Sequence, residues 1–166
     1  MDWRTVILGT GNTIVVAAAT EDTGGAFSLL DYELAPGFAS LPHHIHAREH
    51  EAVYVLEGRL LVLLGESEHV LRPSDFVFLP RGIAHSLCNP SPEPARFLLV
   101  LMPSGFERCF AELERGSGLE HENLALVLPR YGVQITGEGP AARRWPTPFR
   151  RRDGASRPRV VDTGTT

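Results

Sequence analysis

Short runs in which apolar and polar residues alternate dominate the first hundred positions. Three such runs, at residues 4 to 8, 13 to 19 and 26 to 35, are separated by Gly, Asn, Asp and Thr, and the Gly9 to Asn12 segment suits a hairpin. In the third run Tyr32 falls on the less charged face, so we expect its side chain to point inward. The chain therefore opens as β-sheet.

Strand-like segments continue to residue 102, after which the spacing of apolar residues becomes helical. Residues 51 to 56, 59 to 64, 69 to 71 and 76 to 79 are typical of strands, and 97 to 102 is predicted to be a fully buried strand that closes the sheet. Ser104 and Glu107 then have the spacing of a capping box, which predicts a helix that begins after Ser104. Residues 119 to 131 are predicted to form a second short helix whose last turn Pro129 distorts.

Composition and charge divide the chain into a body and an extension. With 166 residues, 43% of them hydrophobic, the chain is long enough to bury one core, which we assign to residues 1–136. Residues 1 to 140 hold 18 acidic residues against 9 arginines, whereas 141 to 166 hold 7 arginines against 2 acidic residues. An acidic body argues against nucleic-acid binding, because a basic face would be expected for that function.

The extension, residues 137–166, is rich in Pro and Arg and has no apolar periodicity. Two interpretations stay open: a solvated, partly disordered segment, or one that docks Trp145 and Phe149 on a neighbouring subunit. We expect neither a membrane segment nor a signal peptide, and the two cysteines have no CxxC spacing. We therefore expect a cytoplasmic protein with free thiols.

Candidate chemistry is concentrated in two stretches. His44 and His46 are two positions apart, so on a strand both imidazoles leave the same face, and Glu51 follows after a short turn. The second stretch runs from Pro80 through His85 to Asn89. Asn89 is expected to bond loop backbone rather than a metal.

Together the two stretches resemble the paired motifs of the cupin superfamily. The surrounding sequence is similar to that of single-domain, quercetin-dioxygenase-like members. His44, His46, Glu51 and Gly58 fit the first motif, with only the leading Gly37 displaced by one position. In the second motif Pro80, Gly82, His85 and Asn89 match, and Ser74 replaces a glycine that usually serves a turn with positive φ.

This resemblance implies an all-β fold, a single-domain jelly-roll β-barrel with one or two short C-terminal helices. It also implies one divalent transition metal held by His44, His46, Glu51 and His85. Three imidazoles and a carboxylate suit Fe, Mn, Ni, Co, Cu or Zn, and they leave the identity of the metal open. We predict a substrate pocket at Tyr32, Val53, Val55 and Leu87, with the helical residues Phe106 and Phe110 either in the core or at the entrance.

The function that the resemblance implies is that of a metal-dependent dioxygenase acting on an enol- or phenol-bearing small molecule, such as a flavonol or polyketide. Glu51 is the candidate catalytic base. Two alternatives stay open: a non-oxidative cyclase, isomerase or dehydratase that uses the same metal, and a binding protein without catalysis. A homodimer is expected, because the resembling proteins usually pair through edge strands.

Overall fold

The structure is a computed structural model that describes residues 4–9, 11–38, 41–139 and 159–162. Its strands are β1 Thr5–Leu8, β2 Asn12–Ala18, β3 Ser28–Leu34, β4 His43–His46, β5 His50–Glu57, β6 Leu60–Leu64, β7 Ser67–Leu71, β8 Asp75–Leu79, β9 His85–Cys88, β10 Ala95–Met102, β11 Val133–Gly137 and β12 Arg159–Val160. The helices are α1 Thr20–Thr23, α2 Glu107–Arg115 and α3 His121–Val127, with a 3₁₀ helix at Leu128–Tyr131.

Two sheets pack face to face as a jelly-roll. One has the order β1-β2-β3-β10-β5-β8-β12 and the other β11-β4-β9-β6-β7. All pairings are antiparallel except that of β12 with β8, which is parallel. The predicted all-β jelly-roll with short C-terminal helices is confirmed.

Alternating burial along the strands builds the core between the sheets. In β3 the face that contains Leu30, Tyr32 and Leu34 is buried, while Glu33 on the other face is exposed, as predicted. The prediction for residues 97 to 102 is wrong in two respects. The strand alternates buried and half-buried residues, and it lies in the middle of its sheet, between β3 and β5, rather than at a closing edge.

The helices after β10 cover one end of the barrel. The predicted start of α2 at Ser104 is wrong, because α2 begins at Glu107 with Phe106 as the preceding residue. The Glu107 carboxylate instead accepts hydrogen bonds from Gly105 and from the distant Thr20. The second predicted helix is confirmed as α3, and its final turn tightens into the 3₁₀ helix at the expected Pro129.

Two turn positions of the sequence motifs have demanding backbone geometry. Gly58 has a φ of 71°, and a Cβ added there would lie 2.3 Å from the carbonyl oxygen of Pro94, so only glycine fits. Ser74 also has a φ of 71° and is the one non-glycine residue with positive φ in the described part of the chain. The turn before β8 thus has the geometry that the motif glycine would supply, and a serine adopts it with some strain.

Part of the C-terminal extension returns to the barrel. Arg159 and Val160 pair with Asp75 and Phe76, and the Val161 amide donates to the Phe76 carbonyl. This pairing with the protein's own edge strand was not anticipated from the sequence. Trp145 and Phe149 lie outside the described residues. Among the helices within the described ranges, none is long and apolar enough to cross a membrane.

Candidate metal centre

Three histidines from two neighbouring strands meet inside the barrel. His44 and His46 leave the same face of β4, and His44 is paired in register with His85 of β9. Their exposed fractions are 9%, 1% and 1%, in chain order. One nitrogen from each ring lies within 4.8 Å of the other two. The strand period and the closure of the sheet thus bring together the three histidines that the sequence singled out.

Acceptors outside the cluster orient each imidazole. The Nδ1 atoms of His44 and His85 lie 2.7 Å and 3.1 Å from the carbonyl oxygens of Pro42 and Ile83. A carbonyl only accepts, so in both rings the hydrogen is on Nδ1. In the neutral imidazoles the Nε2 lone pairs are therefore free, which is how metal-binding histidines are usually oriented.

Glu51 approaches the cluster from the opposite sheet. It lies on β5 and is 4% exposed. Its Oε2 is 2.9 Å from His85 Nε2, and its Oε1 is 3.4 Å from His46 Nε2. The predicted fourth ligand therefore lies beside His46 and His85, although the compact group of mutually close donors contains only the three imidazoles.

The electrostatics of the site favour a cation. Burial alone would raise the pKa of Glu51, but the surrounding imidazoles, His46 first, outweigh it and lower that pKa to about 2. Burial lowers the pKa of His44 to about 3, with further lowering from His85 and His46. Burial opposes the charged form of His85 as well, yet its hydrogen bond with Glu51 leaves the pKa above the ordinary value.

These observations test whether a metal fits. With the His85 hydrogen on Nδ1, an unprotonated Nε2 and a carboxylate oxygen would face each other at 2.9 Å as two acceptors. That arrangement requires a positive charge, either a proton or a metal ion. His46 Nε2 is also buried without a hydrogen-bond partner in the described part of the chain. Together with a donor set of nitrogen and oxygen atoms, these features fit a divalent transition metal, and its identity stays open.

Glu49 is a polar residue of the site that sequence reasoning missed. It is 5% exposed, and its Oε2 lies 3.3 Å from His46 Nδ1. Glu49 therefore orients the His46 ring, as backbone carbonyls orient the rings of His44 and His85. The available signal was a second acidic residue three positions after His46.

A largely apolar cavity that is open to solvent on one side lies against the metal centre. Besides His44, His46 and Glu51, its wall is formed by residues of the barrel and of the covering helices: Tyr32, Leu41, Pro42, Leu87, Leu99, Phe106, Phe110, Leu113, Leu119, Leu124 and Leu128. Phe106 and Phe110 are both buried and part of the wall, so core and entrance are not exclusive.

Of the four predicted pocket residues, Tyr32 and Leu87 line this cavity. Val53 and Val55 do not, and this part of the prediction is corrected. Both are 0% exposed, because they follow Glu51 along β5 toward the packed interior of the barrel. Glu51, Val53 and Val55 share one face of β5, and that face continues beyond the cavity into the core.

The remaining polar residues of the motifs are structural. The Asn89 amide nitrogen donates to the carbonyl oxygens of Leu34, Ala35 and Glu93, as expected for a residue that holds a loop. His50 accepts a hydrogen bond from the Arg81 amide and stacks on Phe78. Neither residue belongs to the group that could hold a metal.

Comparison with known proteins agrees with this geometry. The cupin domain family matches residues 30–101. Germin-like protein subfamily 2 member 3 from Arabidopsis thaliana is 38% identical over 54% of this chain and 42% of its own length. Quercetin 2,3-dioxygenase from Bacillus subtilis is 31% identical over 59% of this chain and 28% of its own length. Tetracenomycin polyketide synthase protein TcmJ from Streptomyces glaucescens is 34% identical over 52% of this chain and 59% of its own length. The chain thus spans less than two thirds of each of these relatives.

Two solved structures extend the comparison. The polyketide cyclase RemF from Streptomyces resistomycificus superposes with a TM-score of 0.52 and is 30% identical, over 62% of this chain and 75% of RemF. KdgF from Halomonas sp. has a TM-score of 0.55 at 19% identity, over 63% and 91% of the two chains. The second likeness shows the fold alone.

Proposed function

We propose that this chain, whose residues 30–101 match the cupin domain family, is a metal-dependent enzyme acting on an apolar small molecule that carries an enol or phenol. Dioxygenase chemistry is the leading reaction class. The observation that carries the proposal is the apolar cavity that opens directly on His44, His46 and Glu51. Apolar walls with a few convergent polar groups are typical of small-molecule sites.

The cavity selects against charged substrates. Among the described residues that line it there is no lysine or arginine, and Glu51 is the sole carboxylate. A phosphate or carboxylate group held away from the metal centre would lie against apolar walls without a lysine or arginine, at a large desolvation cost. Neutral aromatic or polyketide-like molecules, whose rings can pack on Phe106, Phe110 and the leucines, match the wall better.

Glu51 is the proposed base. It is the carboxylate within the described wall, and it faces both the imidazole cluster and the cavity, so it can accept the proton that an enol or phenol loses. His44 and His85 are held in position by backbone carbonyls, and apolar side chains of the helices over the barrel form part of the cavity wall. A bound divalent metal would supply Lewis acidity for the substrate oxygen and, if redox-active, a route for reaction with dioxygen.

A non-oxidative reaction is the second candidate. It is supported by the similarity to RemF, described as a polyketide cyclase, and to a tetracenomycin polyketide synthase protein. Cyclisation, isomerisation or dehydration would use the same base and the same apolar cavity without consuming oxygen. A protein that only binds its ligand is the third possibility.

Oxygen consumption separates the candidates. Full-length protein loaded with Fe(II), Mn(II), Co(II), Ni(II), Cu(II) or Zn(II) is mixed with a flavonol or polyphenolic ketone, and oxygen uptake and product are followed. Uptake coupled to product supports a dioxygenase, product without uptake supports the second candidate, and tight binding without turnover supports the third. Glu51→Gln, at full metal occupancy, should lower turnover roughly 10²- to 10⁴-fold if Glu51 is the base. Turnover of sugar phosphates in preference to these enols would contradict the proposed substrate class.

The homodimer, the cytoplasmic location and the absence of nucleic-acid binding stay predictions. Light scattering of the purified protein would test the first.

A further inference from the structure

Tyr32 has a rigidly held ring and a hydroxyl group that the protein leaves unused. Its ring stacks on Phe97 with centroids 5.1 Å apart and an interplanar angle of 10°, and Phe110 packs edge-on at 6.0 Å. The residue is 1% exposed and belongs to the cavity wall. Its hydroxyl has no hydrogen-bond partner in the part of the chain that the structure describes.

An unused hydroxyl in this position needs a physical reason. Buried polar groups nearly always have a partner, because leaving one unpaired is costly. Phenylalanine would fill the same space between Phe97 and Phe110 without that cost. Tyr32 lines the cavity together with His44, His46 and Glu51, so a molecule bound there is the partner to test for the hydroxyl.

The surroundings also keep this hydroxyl protonated, so it can donate a hydrogen bond. Burial, and then the negative charge of Glu51, raise the pKa of Tyr32 well above its usual value. The phenol therefore keeps its proton at neutral pH and is a hydrogen-bond donor rather than a base. A donor in an apolar wall selects a ligand atom with a lone pair.

We infer that the Tyr32 hydroxyl donates a hydrogen bond to a second oxygen of the bound small molecule, in addition to the enol or phenol oxygen at the metal centre. The inference rests on the proposed function and narrows its substrate class. The ligand would carry two oxygen functions on one flat apolar framework: an enol or phenol for the His44, His46, His85 and Glu51 cluster, and a carbonyl or hydroxyl for Tyr32. Tyr32 is then a specificity-determining residue.

A pair of ligands that differ in the second oxygen tests this inference. 4-Acetyl-1-naphthol has a phenol and a carbonyl at opposite positions of one ring, too far apart to chelate one metal ion, whereas 1-naphthol has the phenol alone. Affinities of both for the metal-loaded, full-length protein are measured by titration calorimetry. Tyr32→Phe should weaken binding of the ketone about tenfold and leave binding of 1-naphthol unchanged, because one hydrogen bond is lost in the first case alone.

Two further readouts exclude a merely structural role. Tyr32→Phe should keep wild-type metal content and an equal or higher melting temperature, since it removes an unpaired buried hydroxyl. Tyr54→Phe is the matched control, because Tyr54 leaves the face of β5 opposite to Glu51 and does not line the cavity. It should change neither affinity.

The outcomes separate this inference from the function on which it rests. Equal affinities of wild type and Tyr32→Phe for the ketone, as expected if only water bonds the hydroxyl, overturn the role of Tyr32 and leave the proposed function standing. An equal loss for both ligands, or a lower melting temperature with no change in affinity, also overturns it. If the wild type neither binds nor converts either ligand, both proposals fail.

Discussion

The Glu107 carboxylate ties the covering helices to the barrel and so holds one wall of the candidate site. Glu107 is 0% exposed. Its Oε1 accepts hydrogen bonds from the Thr20 amide (3.0 Å) and hydroxyl (2.6 Å), and its Oε2 accepts one from the Gly105 amide (2.6 Å). The adjacent Phe106 packs edge-on against His46, with ring centroids 4.5 Å apart. Loss of this anchor should therefore affect both stability and the cavity.

The Glu107→Gln variant measures how much these hydrogen bonds contribute to the free energy of unfolding. The amide group places an N–H donor where an oxygen now accepts, so at least one of the three hydrogen bonds is lost and a buried donor is left unpaired. Hydrogen bonds to charged groups contribute about 1.5–3 kcal/mol each, so we expect a loss of roughly 2–4 kcal/mol. For a chain of this size that corresponds to a melting temperature lower by roughly 4–16 °C.

The effect should depend on pH with a defined sign. Burial raises the pKa of Glu107, but the hydrogen bonds from Thr20 and Gly105 outweigh it and leave the pKa below its ordinary value of 4.5. A lowered pKa in the folded state means that the stabilisation is present above the unfolded value and is lost as pH falls through the folded value. The difference between wild type and variant should be full at pH 7 and shrink below about pH 4.

Urea and thermal unfolding at a series of pH values measure this difference. Glu122→Gln is the control, because Glu122 is an exposed residue in the first turn of α3 and should change the melting temperature little. A Glu107→Gln variant that melts within about 2 °C of wild type at pH 7 would refute the anchoring role. A difference that persists unchanged in acid would refute its assignment to the carboxylate charge.

Two further predictions follow from single residues. Glu49→Gln weakens the acceptor that orients His46 Nδ1, so metal affinity measured by chelator competition should fall about 10- to 100-fold, whereas Glu66→Gln in the β6–β7 turn should leave it unchanged. Equal affinities would show that Glu49 does not orient the ligand. Ser74→Gly removes the strain of a positive φ, which costs about 1–2 kcal/mol. Glycine also gives the unfolded chain more freedom, which offsets part of this gain, so the free energy of unfolding should rise by about 0.5–1 kcal/mol. Ser117→Gly is the comparison variant, because Ser117 does not have a positive φ. If Ser74→Gly lowered the unfolding free energy as much as Ser117→Gly does, this reasoning would be contradicted.

Local patterns were sufficient where strand period alone decides the outcome. His44 and His46 face inward because residues two apart on a strand share a face, and Tyr32 is buried for the same reason. The two motifs then placed His85 and Glu51 beside them. The β-rich fold followed from the same alternation and from the resemblance.

Long-range packing explains what the sequence did not predict. Glu107 looked like part of a local capping box, but its partner Thr20 lies 87 positions away, and no local spacing records such a contact. The same limit applies to the cavity. Its outer wall comes from α2, α3 and the turn between them, whose position over the barrel depends on tertiary packing, so Val53 and Val55 were assigned to a wall that other residues form.

The central claim, a metal ion held by the three histidines and Glu51, is tested most directly by the metal content of the purified wild type and two variants. Full-length wild type and the His44→Ala/His85→Ala double variant are loaded with the same divalent metal, desalted and analysed by mass spectrometry, with His121→Ala, an exposed histidine outside the cluster, as the control. We predict about one equivalent per chain in wild type and control and less than about a tenth of an equivalent in the double variant, because two of the proposed donors are gone. A double variant that still holds a full equivalent would contradict the claim.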